Sequence, residues 1–184
     1  MNVEDRRALL ESIISKELDM FLAVRNLGGT SLCQERPESF RLMREISHSV
    51  LPDAFLDSYL QDLERAEENT RNLMTEKYAL MEGRIPPIND SPLITEIVVS
   101  EGEWRKEVAS QFPRSIHPDG HESFCLYLGC ELQTYSDISL GHYHAAVQVA
   151  HQKCANLVRE RYELLMKKLG YDNLAHCEKK LSQR

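Results

Sequence analysis

A chain of 184 residues, 42% apolar and 28% charged, is about one domain long and can bury roughly 70% of the surface its unfolded form exposes, which excludes intrinsic disorder. With 22 Lys and Arg against 29 Asp and Glu the formal charge is -7, and an acidic surface repels phosphate backbones, so nucleic acid is not an expected partner. No stretch approaches the ~20 apolar residues of a membrane span, and MNVEDRRALLE at the N-terminus is no signal peptide, so no membrane partner and a cytoplasmic location are expected. The five cysteines, Cys33, Cys125, Cys130, Cys154 and Cys177, are odd in number and lack CxxC spacing, which predicts reduced thiols rather than a disulfide framework or a structural zinc site.

The spacing predicts a first helix over Val3 to Asn26, capped by Asn2, with Glu4 and Asp5 in its first turn. Its apolar stripe, Leu10, Ile13, Ile14, Phe21 and Val24, has Glu17 in its middle. Asn26-Leu27-Gly28-Gly29 stops it, and the following loop delivers Thr30, Ser31, Cys33 and Gln34. A shorter second helix opens at Pro37-Glu38-Ser39, with Phe40, Met43, Ser47 and Val50 on one face, and ends at Pro52. The third predicted helix is long, from about Pro52 to Met81, and places Tyr59, Leu63, Ala66, Thr70, Leu73, Lys77 and Leu80 on one stripe. Gly83 to Pro92 is a Pro-rich internal linker. A fourth helix runs from there to about Gln111 with Ile94, Ile97, Glu101, Trp104 and Val108 facing inward, and Pro113 to Gly120 is loop. Phe124, Leu128, Glu131 and Tyr135 define a fifth helix; Ser136-Asp137 caps a sixth that continues to about Leu169; Gly170 stops it before a short terminal helix near Asp172-Asn173. No repeat and no strand-period segment is present. The reading is all-α: one helical domain over residues 1–184, a bundle of about six helices.

Three of these helices put an acid, Glu17, Glu101 or Glu131, where a hydrophobe is expected, and Lys77 occupies an equivalent position. An unpaired buried carboxylate costs several kcal/mol in practice or becomes neutral, so such groups must be paired, hydrogen-bonded or functional. One reading is a structural Lys-Glu network. The other is a polar pocket walled by the first, third, fourth and fifth helices, taking a small polar, anionic metabolite. In that pocket Lys77 anchors the anion, Glu17 or Glu131 is the base, another glutamate the acid, and Tyr135 donates to developing charge. Tyr78 and Trp104 then supply aromatic walls. Cys33, in a Gly-rich loop, is a candidate nucleophile, although nothing nearby in sequence supplies its base.

Histidines offer a competing metal reading. His144, His151 and Cys154 share a face with Val147, and Glu45-Ile46-Ser47-His48 is one Glu-x-x-His pair of the two that a di-metal bundle site requires. The second pair is missing, so Glu45 and His48 are read as solvated, and neither a metal nor another cofactor is expected. A carboxylate-histidine metalloprotein stays as an alternative. A non-enzymatic interaction domain is another, favoured if the inward acids pair with arginines and an exposed apolar patch remains on the third or sixth helix.

The arrangement of Asn26 before Gly28-Gly29 with Cys33-Gln34, then Asn72-Leu73-Met74-Thr75-Glu76-Lys77-Tyr78-Ala79, then Glu131-Leu132-Gln133-Thr134-Tyr135-Ser136, with Gly170-Tyr171 near the end, resembles an uncharacterised bacterial family, domain-of-unknown-function family 4125. The resemblance implies an all-helical domain and carries no established activity. It includes the Glu76-Lys77 pair, which adds Glu76 to Asn26, Gln34, Tyr78 and Trp104 as expected substrate contacts, and it does not require the His144, His151 and Cys154 set. A small-molecule ligand is therefore the expected partner; whether the chain is an enzyme, and its oligomeric state, are left open.

Overall fold

Where a helix of this chain begins, a polar side chain often turns back on the backbone to satisfy an otherwise orphaned N–H group. The computed structural model describes residues 1–25 and 35–183. Among them are nine α-helices and no strand: α1 (Val3–Leu22), α2 (Pro37–Ser49), α3 (Asp53–Glu68), α4 (Leu73–Met81), α5 (Pro92–Gln111), α6 (His121–Leu132), α7 (Asp137–Gln152), α8 (Leu157–Lys168) and α9 (Leu174–Leu181), with a three-residue 3-10 turn at Pro118–Gly120 ahead of α6. Asn2, Asn72, Asn156 and Asn173 each accept the third backbone N–H of their helix at 2.8 Å, and Ser136 does the same for α7 at 3.3 Å.

The expected count of about six helices is too low, and the stops explain why. α3, α4, α7 and α8 end in the same closure, in which the N–H two residues past the cap reaches the carbonyl five residues back: Arg71 to Ala66, Arg84 to Ala79, Ala155 to Ala150 and Tyr171 to Met166, at 2.8 to 2.9 Å. The turning residue has positive φ each time. At Gly83 and Gly170 (φ 65° and 84°) the residue type announces the stop. At Thr70 and Cys154 (φ 56° and 52°) it does not, and these two breaks divide the predicted Pro52–Met81 helix into α3 and α4 and the predicted Asp137–Leu169 helix into α7 and α8. The first helix ends at Leu22 rather than Asn26.

α1 packs on α2, α3 and α4, while α5 packs on α6, α7 and α8; α3 against α7, α4 against α6 and α2 against α8 join the two groups. Their shared core holds Ile13, Phe55, Leu56, Leu63, Ile97, Leu132, Leu140 and Val147, all fully buried. A smaller core of Val108, Ala109, Ile116, Met166, Leu174 and Cys177 seats α9 beneath the end of α5. Asp62 of α3 fixes the start of α7 by accepting the Ser136 N–H and hydroxyl, each at 3.0 Å, and the Ser139 hydroxyl at 2.6 Å. The Gly83 to Pro92 linker is pinned to the end of α6, since Gln133 accepts the Ile88 N–H at 3.2 Å and Asn89 donates to the Tyr135 carbonyl at 3.3 Å. Among the described residues no helix is long and apolar enough to cross a membrane.

Candidate functional site

The inward acid of α1 meets an arginine. Glu17 is completely buried, and its carboxylate accepts Arg44 Nε–H at 2.8 Å and Nη2–H at 2.5 Å, a fork-to-fork pair joining α1 to α2. The same guanidinium reaches Glu131 of α6, with Nη1 and Nη2 at 3.0 and 2.9 Å from its two oxygens. Tyr59 of α3 donates to Glu17 at 2.7 Å, and Tyr135 donates to Glu131 at 2.8 Å. Lys77 of α4 lies 3.2 Å from Glu131 and 2.7 Å from the Tyr127 hydroxyl. Five helices thus contribute to one cluster in which two acids face two cations.

Its electrostatics follow from that count. Burial pushes the Glu17 carboxyl upward, but Arg44 and His48 outweigh burial and hold it at about 2. Burial opposes ionisation of Glu131 as well, and Arg44 with Lys77 overcomes it, holding this carboxyl far below the usual range. Tyr59, Tyr127 and Tyr135 move up, through burial and then through the neighbouring carboxylates. At neutral pH the carboxylates are ionised and the phenols keep their protons to donate.

His48 sits one helical turn beyond Arg44 and is 1% exposed, so the expectation of a solvated His48 is overturned. Its Nε2 is 3.1 and 3.2 Å from the Glu17 oxygens. The same Nε2 is 3.2 Å from Arg44 Nη2, so it faces a donor as well as an acceptor. Nδ1 is buried and has no partner.

A second cluster lies nearby. Glu101 of α5 accepts the Tyr143 hydroxyl at 2.6 Å and Arg161 Nη1 at 2.7 Å, and Arg161 Nη2 donates to Tyr143 at 2.9 Å. Arg161 Nε also donates to the Ser47 carbonyl at 3.2 Å, tying α8 to α2. This cluster too is neutral overall. Between the two clusters is a cavity of about 100 Å³, walled by Arg44, His48, Glu101, Tyr127, Glu131 and Arg161 among others. It has room for about three waters at ~30 Å³ each, or for a molecule of a few heavy atoms.

Of the residues singled out from sequence, Glu17, Lys77, Glu131 and Tyr135 come together in the first cluster, and Glu101 stands on the far wall of the cavity. Tyr78 flanks Lys77, its ring centroid 5.1 Å from Nζ. Glu76 turns away to pair with Arg71 at 2.7 and 2.9 Å. Trp104 is buried outside the cavity with its ring 4.6 Å from that of His151. Asn26, Cys33 and Gln34 lie outside the described residues. The lysine expected to neutralise the acids is secondary, because Arg44 and Arg161 do most of that work. Sequence reasoning missed both arginines, together with His48, Tyr127 and Tyr143. A signal existed for two of them: Phe40, Arg44, His48 and Leu51 recur at steps of four, four and three.

The histidine face of α7 does not converge. His144 pairs with Glu96 at 2.8 Å, His151 packs on Trp104 and Cys154 is exposed. Among the described residues no group of three or more His, Cys, Asp or Glu side chains is placed to hold a metal ion. Glu45 is solvated and paired with Lys168 at 2.8 Å.

A family model described as a protein of unknown function, DUF4125, matches residues 7–179. No curated protein matches the chain, and no solved structure does.

Proposed function

We propose, for a chain that belongs to the DUF4125 family, that it binds a small, uncharged polar molecule in the cavity between its two buried ion clusters. The observation that carries this reading is the wall of that cavity: charged groups that are already neutralised by one another, beside His48 Nδ1, a buried ring nitrogen without a partner. An anion entering there meets Glu101 and Glu131 as well as the arginines, and Lys77, whose Nζ is turned to Glu131 and Tyr127, does not line the cavity. A neutral molecule avoids that conflict. It can hydrogen-bond to His48 Nδ1, as donor or acceptor, and accept from Tyr127, whose oxygen receives Lys77 while its own O–H has no acceptor among the described residues.

Binding, not glutamate acid-base catalysis, is what these electrostatics support. A carboxyl held at about 2, as Glu17 is, has no proton to give at neutral pH and is too weak a base to take one readily. The test is a ¹H–¹⁵N NMR titration of the protein with acetamide, glycerol, acetate and methylammonium in separate arms. Saturable shifts confined to α2 and α6 with a neutral probe, weakened in Tyr127→Phe, are the expected result. Saturation by acetate alone, or by none of the four, would overturn the reading.

A further inference from the structure

One side of α7 faces the core and the other faces solvent with apolar residues on it. Leu140, Tyr143 and Val147 turn inward, where α7 packs on α3 and α5. Ile138 and Val149 are 60% and 44% exposed, with Ala145 exposed between them, at the steps of seven and four that keep residues on one helix face. Ala145 and Val149 also line a surface groove of about 570 Å³, together with Val50 of the corner between α2 and α3 and Leu157 at the start of α8. An apolar groove of this size beside exposed aliphatic side chains is the kind of surface a partner covers. It lies on the predicted sixth helix, where an interaction domain was expected to show its patch once the inward acids were paired with arginines.

The charges of the groove say which partner. Besides His142, its ionisable lining is Arg6 and Lys153 against Asp53 and Glu160, two of each sign, on a chain whose formal charge is -7. Arg6 and Asp53 already pair with each other. Lys153 and Glu160 are both exposed, and neither has an ion-pair partner among the described residues. A strongly charged partner gains nothing from a patch that is neutral, and the acidic remainder of the surface repels an anionic one. A second copy of the chain fits. One unpaired cation and one unpaired anion on the same patch are self-complementary, because a two-fold axis between them lays the Lys153 of each protomer on the partner's Glu160, twice in one contact. The apolar linings then cover one another. Two chains of -7 repel at longer range, so the association expected is weak.

We propose that the chain forms a two-fold dimer through the α7 groove, held by apolar contact around Val149 and by reciprocal pairing of Lys153 with Glu160. It requires no ligand in the cavity beside Arg44. The test is sedimentation equilibrium of the full chain from about 10 µM to about 1 mM, for the wild type and for Ala145→Glu, Lys153→Glu and Glu160→Lys. All three positions are exposed, so the variants should fold as the wild type does. The wild type should dimerise within this range. Ala145→Glu puts a charge into the apolar seam and should weaken the dimer roughly tenfold or more. Lys153→Glu or Glu160→Lys alone sets like charges opposite one another at both contacts, and should also weaken it roughly tenfold. An equimolar mixture of these last two variants restores opposite charges at both contacts, and should associate as a heterodimer about as tightly as the wild type. A wild type that stays monomeric to about 1 mM would overturn the proposal and leave the groove to an unlike partner. A dimer indifferent to Ala145→Glu, or a mixture no tighter than its two components, would overturn it as well.

Discussion

Replacing Arg44 with methionine removes one side chain and strands two acids. Glu17 loses both arms of its fork and keeps Tyr59 and His48, and Glu131 keeps Lys77 and Tyr135. Breaking a buried pair in this way costs about 3–5 kcal/mol, a large part of the roughly 5–15 kcal/mol that holds a domain together. For a chain of this size about 2–4 °C is lost per kcal/mol, so the melting temperature should fall by roughly 6–20 °C. The sign of the pH dependence is the sharper test. In the wild type the Glu17 carboxyl is held at about 2, below its ordinary 4.5. It therefore contributes stability above pH 4.5, on the order of 3 kcal/mol by linkage, which is lost as pH falls toward 2. In Arg44→Met, burial dominates and the folded carboxyls rise above their unfolded values. The folded state then binds protons more readily, and the variant should gain stability as pH falls from 7 toward 5. Urea unfolding at pH 7, 6, 5 and 4 measures both slopes. A triple variant, Arg44→Met with Glu17→Gln and Glu131→Gln, should recover most of the loss. Parallel slopes in wild type and Arg44→Met, or a loss below 1 kcal/mol, would mean that Arg44 does not hold these acids ionised.

Thr70 and Cys154 are exposed residues in the left-handed region, where a side chain costs roughly 1–2 kcal/mol. Glycine removes that strain and adds unfolded-state entropy, so Thr70→Gly and Cys154→Gly should each stabilise by about 0.5–1 kcal/mol in urea unfolding; destabilisation would contradict the closure described at these two stops. Asp62→Ala removes the acceptor that holds Ser136 and Ser139 at the start of α7 and should cost about 2–3 kcal/mol, with amide exchange accelerated first in residues 136–140; a uniform change across the chain would place the effect elsewhere.

The contributions of α1, α4, α5 and α6 to the site were legible because each helix has a clean apolar stripe interrupted once, by Glu17, Lys77, Glu101 or Glu131, and an interruption in a regular pattern is visible. α2 has no such stripe. Its hydrophobes Phe40, Met43 and Val50 suggest one face, yet Met43 is 48% exposed and the buried side carries Arg44 and His48. There the polar residues are the inward pattern, made so by acids on other helices that a single segment cannot reveal. The two unforeseen helix breaks have a different cause. A stop built on Gly83 or Gly170 is written in the residue type, whereas the same backbone turn at Thr70 or Cys154 is imposed by packing on either side and by Asn72 and Asn156 waiting two residues on as caps.

The pairing pattern also bears on why a cavity persists in the middle of a packed bundle. Had the Arg44 cluster carried net positive charge and the Glu101 cluster net negative, attraction across a low-dielectric gap would draw Arg44 toward Glu101 and close the space. Each cluster is instead neutral within itself: Arg44 and Lys77 balance Glu17 and Glu131, and Arg161 balances Glu101. Little net force then acts between them. Their side chains are also fixed from behind, Glu17 by Tyr59 and Arg161 by the Ser47 carbonyl, so neither can swing across without leaving a buried partner unsatisfied. The same neutrality that leaves the cavity open removes the reason for an ion to enter it. A charged occupant would have to break one of these balances, while a neutral one needs only His48 Nδ1 and the Tyr127 hydroxyl.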